Sequence, residues 1–271
     1  MDRRLTPASA RAALEYLRGQ VDAPRYVAGE AAQVTAALAD LCDAPESMRA
    51  RQVLMGDAAV VVDRHEGWAF VQMRKDGYCG YLPEAALGPT DEATHWVAAP
   101  ATHLYHEPDM KLRETAALTM GAQLRVLAEA GNWAETTRGF VPKMHLKPLG
   151  EWHKDPVAVA QTFLGVPYLW GGNSRAGLDC SGLVQAAMLA CGKPCPGDSD
   201  LQQGLGAPVS EKAALKRGDL VFWKGHVAIA MNADYLIHAT AAFMAVVVEP
   251  AKAAIARIAG SGPVVARRRP D

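Results

Sequence analysis

No stretch of the 271-residue chain is both long and uncharged enough to cross a membrane as a helix. An excess of charge of either sign is also lacking, for the formal net charge is −1, which gives no electrostatic footprint for nucleic acid or another polyanion. The basic tail "ARRRP" is brief and terminal, and it is expected to be a solvated end. Five cysteines, an odd number scattered along the chain, do not make a disulfide framework. The opening "MDRRLTPASARAALEYLRGQVDAPRYV" has basic residues but neither a continuous apolar run behind them nor a small-residue cleavage pattern. It is a poor secretory signal, and the expectation is a reduced, soluble, cytoplasmic protein. Metal and cofactor sites are not expected either. His103 and His106 of "HLYH" have no further ligands nearby in sequence, Cys191 and Cys195 are too few for zinc, and no glycine loop has phosphate-cradle spacing. Cys42 and Cys79 read as packing.

The sequence does contain an internal repeat. After an N-terminal segment with helical character near Glu30 to Leu41, short apolar runs alternate with turn signals from about Ser47 to Leu87, the texture of a small β-barrel. "MGDAAVVVDRHEGWAFVQMRKDGYCGYLP" is followed further on by "MGAQLRVLAEAGNWAETTRGFVP". Glycine, apolar strand, a tryptophan turn, strand, Gly-aromatic and proline recur in one order, which implies two copies of one module. From about Glu151 the apolar segments lengthen. "DPVAVAQTFLG" and "CSGLVQAAMLACG" read as helices, the second ended by Gly192. "DLVFWKGHVAIAMNADYLIHATAAFMAVVVEP" reads as three or four strands, and "AKAAIARIAG" as a closing helix. The expected fold class is α+β for this last part, with boundaries at 1–45 (N-terminal segment), 46–90 and 91–150 (barrels) and 151–271 (α+β domain).

Cys180 sits where a helix is expected to begin, after the flexible "GGNSRAGLD", with Asp179 and Ser181 as capping candidates. A helix N-terminus and a nearby imidazolium both favour a thiolate, and the unpaired N–H groups of Cys180 and Ser181 can face a developing oxyanion. His226 begins one apolar strand and His238 ends the next, so the two can fall opposite each other. His226 is then the base and His238 the group that orients its ring. Taken singly, a buried cysteine or strand histidine is more often a packing residue, and that reading stays open on spacing alone.

"PYLWGGNSRAGLDCSGLVQAAM", "RGDLVFWKGHVAIAM" and "LIHAT" together resemble the NlpC/p60 cysteine peptidases, bacterial cell-wall peptide hydrolases with a papain-like core. The resemblance covers about Asp155 to Val248. It implies Cys180 as nucleophile, His226 as base, His238 as the third polar residue, and the Tyr168 hydroxyl as oxyanion support. Thr240 stands where family members often carry Asn, so the motif does not give the group supporting His238. The repeated modules resemble bacterial SH3 domains, and their order before the peptidase resembles the dipeptidyl-peptidase VI group. That resemblance implies cleavage of γ-D-glutamyl–diaminoacyl bonds in murein peptides with a free L-Ala amine. It brings Asp198 and Ser199 of "CPGDSDLQ" and Tyr78 and Tyr81 of "DGYCGYLP" to the substrate. A buried ammonium needs a carboxylate. Asp198 is the first candidate and Glu46, by order in the chain, a second. Asp198 is alternatively a helix cap and Tyr78 barrel core, Asp179 and Ser181 are caps that also line the site, and Trp170 is a wall or core residue. Two rival functions share these features: an amidase or acyltransferase on the same core, and a non-catalytic wall-binding protein.

Overall fold

The structure, a computed structural model, describes residues 1–270. The chain divides into two compact units, Met1–Glu151 and Trp152–Asp271. In the first, seven strands form one sheet in the spatial order Arg49–Leu54, Leu38–Cys42, Cys79–Pro83, Trp68–Met73, Ala58–His65, Glu30–Val34 and Leu87–Gly88. Along Trp68–Met73 the side chains alternate as a pleated strand requires: Ala69, Val71 and Met73 join the barrel's interior with Val34, Leu41, Val53 and Leu82. Phe70 faces the other way, packing with Val62 and Cys79 beneath Ala12 and Leu14 of the N-terminal segment. The reversal at Glu66 and Gly67 has φ of 50° and 79°, the mirror-image turn whose twist suits a two-residue hairpin.

The helical character expected from Glu30 to Leu41 is not found. Glu30–Val34 and Leu38–Cys42 are strands, and the sheet starts at Glu30 instead of near 46. The alanines favour a helix, but Ala32, Val34 and Leu41 bury completely or nearly so in the barrel. Pairing and burial outweigh a propensity worth a few tenths of a kcal/mol per residue, roughly.

A second small barrel follows, built from strands between His95–Val97 and Leu146–Pro148 around Val97, Leu104, Leu118, Leu124 and Val141. The repeat is visible in three dimensions: "YLPEAAL" and "FVPKMHL" each run strand, 3-10 turn (Glu84–Ala86, Lys143–His145), then a short strand.

In the second unit, Asp155 caps the Pro156–Gln161 helix, its Oδ1 accepting from the Val157 N–H at 2.9 Å, with proline at the first helical position. The Cys180–Leu189 helix buries Leu183, Val184, Ala187 and Met188. A six-stranded sheet runs Ala207–Pro208, Ala266–Arg269, Leu220–Trp223, His226–Ala230, Tyr235–Thr240, Ala245–Pro250, and the Ala251–Ile258 helix packs Ala251 and Ala254 onto it. The tail is not a solvated end: Ala266–Arg269 pairs with Leu220–Trp223, and Arg269 grips the fully buried Asp219 with two bonds of 2.7 Å. A buried carboxylate needs a fixed cation, and Arg269 supplies it. Among the described residues, no helix is long and apolar enough to cross a membrane.

Candidate active site

Asp179 organises the start of the Cys180–Leu189 helix. Its Oδ1 accepts from the Gly182 N–H at 2.6 Å and the Ser181 hydroxyl at 2.9 Å, and its Oδ2 from the Gly171 N–H at 2.9 Å. One carboxylate thus ties the glycine loop to the first helical turn, and as a cap alone that is worth about 1 kcal/mol. A Cβ at Gly182 would come closer than 3.0 Å to the Gly172 carbonyl oxygen, a backbone atom that cannot swing aside as a side-chain tip does. Gly182→Ala is therefore expected to cost about 1–3 kcal/mol, seen as a lower urea midpoint at unchanged slope. An unchanged midpoint would mean that the loop packs slackly here.

Cys180 is 7% exposed, and its sulfur lies 4.0 Å from the Gly225 carbonyl oxygen and takes the Val227 N–H. It therefore borders the backbone on both sides of His226. The N–H groups of Cys180 and Ser181 also stabilise negative charge on the sulfur, which puts backbone donors where charge would develop.

From His226 a polar chain runs inward. His226 Nε2 is 3.0 Å from His238 Nδ1, on the neighbouring strand, and the ring centroids are 5.1 Å apart. His238 is 1% exposed, and its Nε2 lies 3.2 Å from Glu249 Oε2. Arg257 donates to both oxygens of Glu249, Nε to Oε1 at 3.0 Å and Nη2 to Oε2 at 2.6 Å. Glu249 supplies the support for His238 that the motif left open. Sequence reasoning missed it because a strand's cross-strand partner is not written in the sequence. The available signal was a lone carboxylate after the apolar run of "AVVVEP".

Ionisation departs from the expected helix-start thiolate. Burial first, and Asp179 second, push the Cys180 thiol up to about 12. Burial, His238 and Arg257 push His226 down to about 3. Both groups are neutral near pH 7. A helix terminus contributes about 0.3–1 kcal/mol, against several kcal/mol, roughly, for burying a charge, so burial prevails.

Tyr168 is near enough to Cys180 and Asp179 for their charges, after burial, to help raise its phenol to about 12; it stays a hydrogen-bond donor. Ser181 is buried. Trp170 is 67% exposed and so is not a core residue. Asp198 precedes the Ser199–Gln202 helix, yet its side chain makes no capping hydrogen bond, and Ser199 is buried. In the first unit, Tyr78 belongs to the barrel's interior, its ring 5.2 Å from the Arg51 guanidinium. Tyr81 lies on the outer face 4.9 Å from Phe70, and with Glu46, Arg11, Asp63 and Trp68 it lines a cavity of about 370 Å³. The structure thus gathers Cys180, His226, His238, Tyr168, Asp179 and Ser181 at one place in the second unit, and puts Glu46 and Tyr81 together in a pocket of the first.

A buried thiol at a helix start, set against the backbone on both sides of a histidine that is backed by a second polar group on an antiparallel sheet, defines a cysteine hydrolase with a papain-like core. Residues 165–256 match the NlpC/P60 family and residues 41–87 the bacterial dipeptidyl-peptidase Sh3 domain. The chain is 30% identical to the gamma-D-glutamyl-L-lysine dipeptidyl-peptidase of Bacillus subtilis, over 69% of this chain and 71% of that one. It is 28% identical to the Bacillus cereus protein of the same name, over 73% and 69%. Dipeptidyl-peptidase 6 of Lysinibacillus sphaericus is 26% identical over 70% and 79%. A crystal structure of an NlpC/P60 family protein from Bacillus cereus superposes with a TM-score of 0.76 at 23% identity, covering 89% of this chain and 99% of that one, and so shares its fold. The chain belongs to the NlpC/P60 family and is a cysteine peptidase, with two SH3-like barrels ahead of its catalytic domain.

Proposed function

We propose that this peptidase cleaves the bond between the γ-carboxyl of D-Glu and a diamino acid in murein peptides whose N-terminal L-Ala is free, releasing L-Ala-γ-D-Glu. The observation that carries the reading is the line from Cys180 past His226 to His238, in a chain that pairs a dipeptidyl-peptidase Sh3 domain with the peptidase. As the Cys180 sulfur attacks the γ-carbonyl carbon, its proton passes to His226. Neither group needs to be charged beforehand, because transfer accompanies attack. The N–H groups of Cys180 and Ser181 and the Tyr168 hydroxyl hold the oxyanion. The C–N bond breaks as His226 returns the proton to the departing amine, leaving a thioester. Water then attacks it, giving its proton to His226, and the thiol is re-formed as the dipeptide leaves.

Asp198, which precedes the buried Ser199 at the start of the Ser199–Gln202 helix, pairs with the ammonium of L-Ala. In intact murein that amine is acylated, so the reaction follows the amidase-type step that frees it and belongs to the recycling of released wall fragments. Incubating the enzyme with L-Ala-γ-D-Glu-L-Lys and with the diaminopimelate peptide is expected to release L-Ala-γ-D-Glu. Release of L-Ala alone would place the cut at another bond.

The pH profile adds a check. His226, held far below the usual 6.5, stays unprotonated through mild acid, so its contribution to kcat/KM is undiminished there. The substrate ammonium loses its proton near pH 8, roughly, and the pairing with Asp198 goes with it. The expected kcat/KM is level from about pH 5 to 7 and falls above about 8. An acid limb centred on an ordinary histidine value would contradict the burial of His226.

A further inference from the structure

The polar chain behind the nucleophile ends in a group that can only accept. Glu249 lies 3.0 and 2.6 Å from two donors of Arg257, a cation that cannot be deprotonated. Arg257 is itself steadied by Phe243, its guanidinium carbon 5.3 Å from the ring centre. These bonds hold the Glu249 carboxyl below its usual range, so it is a carboxylate without a proton to give. The His238 Nε2, 3.2 Å away, must therefore carry the hydrogen. Burial keeps His238 neutral, and a neutral imidazole has one N–H. Its Nδ1 is then a lone pair, which requires the His226 Nε2, 3.0 Å away, to be the donor. That leaves the lone pair of His226 on Nδ1, the ring nitrogen nearest its own backbone. The Cys180 sulfur borders that backbone at both Gly225 and Val227.

We infer that Glu249, locked by Arg257, is a positioning residue that fixes the tautomers of both histidines and so delivers the basic nitrogen of His226 to the Cys180 thiol. The inference rests on the roles proposed above for Cys180 and His226. Once Nδ1 takes the thiol proton, the new imidazolium donates from Nε2 to His238 without any further proton moving. Glu249 touches neither substrate nor sulfur, and its effect is transmitted through two rings.

The inference is tested on the free protein labelled with ¹⁵N-histidine, where long-range ¹H–¹⁵N correlations report which ring nitrogen carries the proton. Both His226 and His238 are expected to be protonated on Nε2. In Glu249→Gln the amide oxygen turns toward Arg257, which has only donors, and the amide NH2 faces His238. His238 then moves its proton to Nδ1 and His226 must follow, losing its lone pair toward the sulfur. The expected kinetic result is a fall in kcat of about 10–100-fold with KM within about twofold. Arg257→Lys, which keeps a cation beside the carboxylate, is expected to retain the wild-type tautomers. A wild-type spectrum with the His226 proton on Nδ1 overturns the inference whether or not any variant folds. So does a Glu249→Gln protein with unchanged tautomers and unchanged kcat. Because the spectra need no substrate and no active thiol, a wrong substrate or an active Cys180→Ala enzyme leaves this result to be judged separately.

Discussion

Cys180→Ala is expected to lower kcat by about four orders of magnitude or more while leaving peptide affinity nearly unchanged. The size follows from the chemistry, since every step of the proposed reaction passes through a bond to the Cys180 sulfur. The alanine removes one sulfur from a site where Cys180 is almost wholly buried, and the helix cap made by Asp179 to Gly182 does not involve it. Binding and fold should thus survive the change. His226→Ala should fall nearly as far, and the double variant little further than either, because thiol and imidazole act as one unit. Isothermal titration with intact peptide on the alanine variant, beside turnover measured by chromatography, separates loss of chemistry from loss of binding. Turnover within tenfold of wild type would remove Cys180 from the reaction.

The second large effect is on the substrate side. N-acetylation of L-Ala converts an ammonium into a neutral amide. If the Asp198 carboxylate pairs with that ammonium away from water, breaking the pair costs about 3–5 kcal/mol, a loss in kcat/KM of about 10²–10⁴-fold. Asp198→Asn should impose a similar loss on the free-amine peptide but little further loss on the acetylated one, so discrimination between the two collapses. Equal turnover of both peptides by the wild-type enzyme would point instead to an amidase or acyltransferase that ignores the amine. The barrel-borne residues Tyr78, Tyr81 and Glu46 do not enter this comparison, and Asp198 alone carries the prediction.

Much of the catalytic domain was legible because its signals are local. The turn glycines, the Asp179 cap and the apolar run after Cys180 all lie within one short segment, and backbone rules read them directly. The histidines were legible for a related reason. Strand and turn lengths on either side of "NAD" leave few ways for His226 and His238 to sit other than on neighbouring strands. The repeat showed in sequence because each barrel reuses the same turn chemistry. What stayed hidden depends on partners distant in sequence. Arg269 looks like a solvated end until Asp219, buried without exposure, is placed beside it. Ala-rich "EAAQVTAALADL" looks helical until Ala58–His65 pairs with Glu30–Val34. Glu249 acquires meaning only when its strand is laid against that of His238. The ionisation of Cys180 was misjudged because a helix terminus can be read from sequence, whereas the depth of burial that outweighs it cannot.

Mass spectrometry of the enzyme quenched during turnover of a slowly deacylated L-Ala-γ-D-Glu ester or thioester tests the covalent step itself. An L-Ala-γ-D-Glu acyl group attached to Cys180, and absent from Cys180→Ala, is the expected result. Release of the dipeptide with no adduct at any time point, or an adduct on another side chain, would contradict attack by the Cys180 thiol.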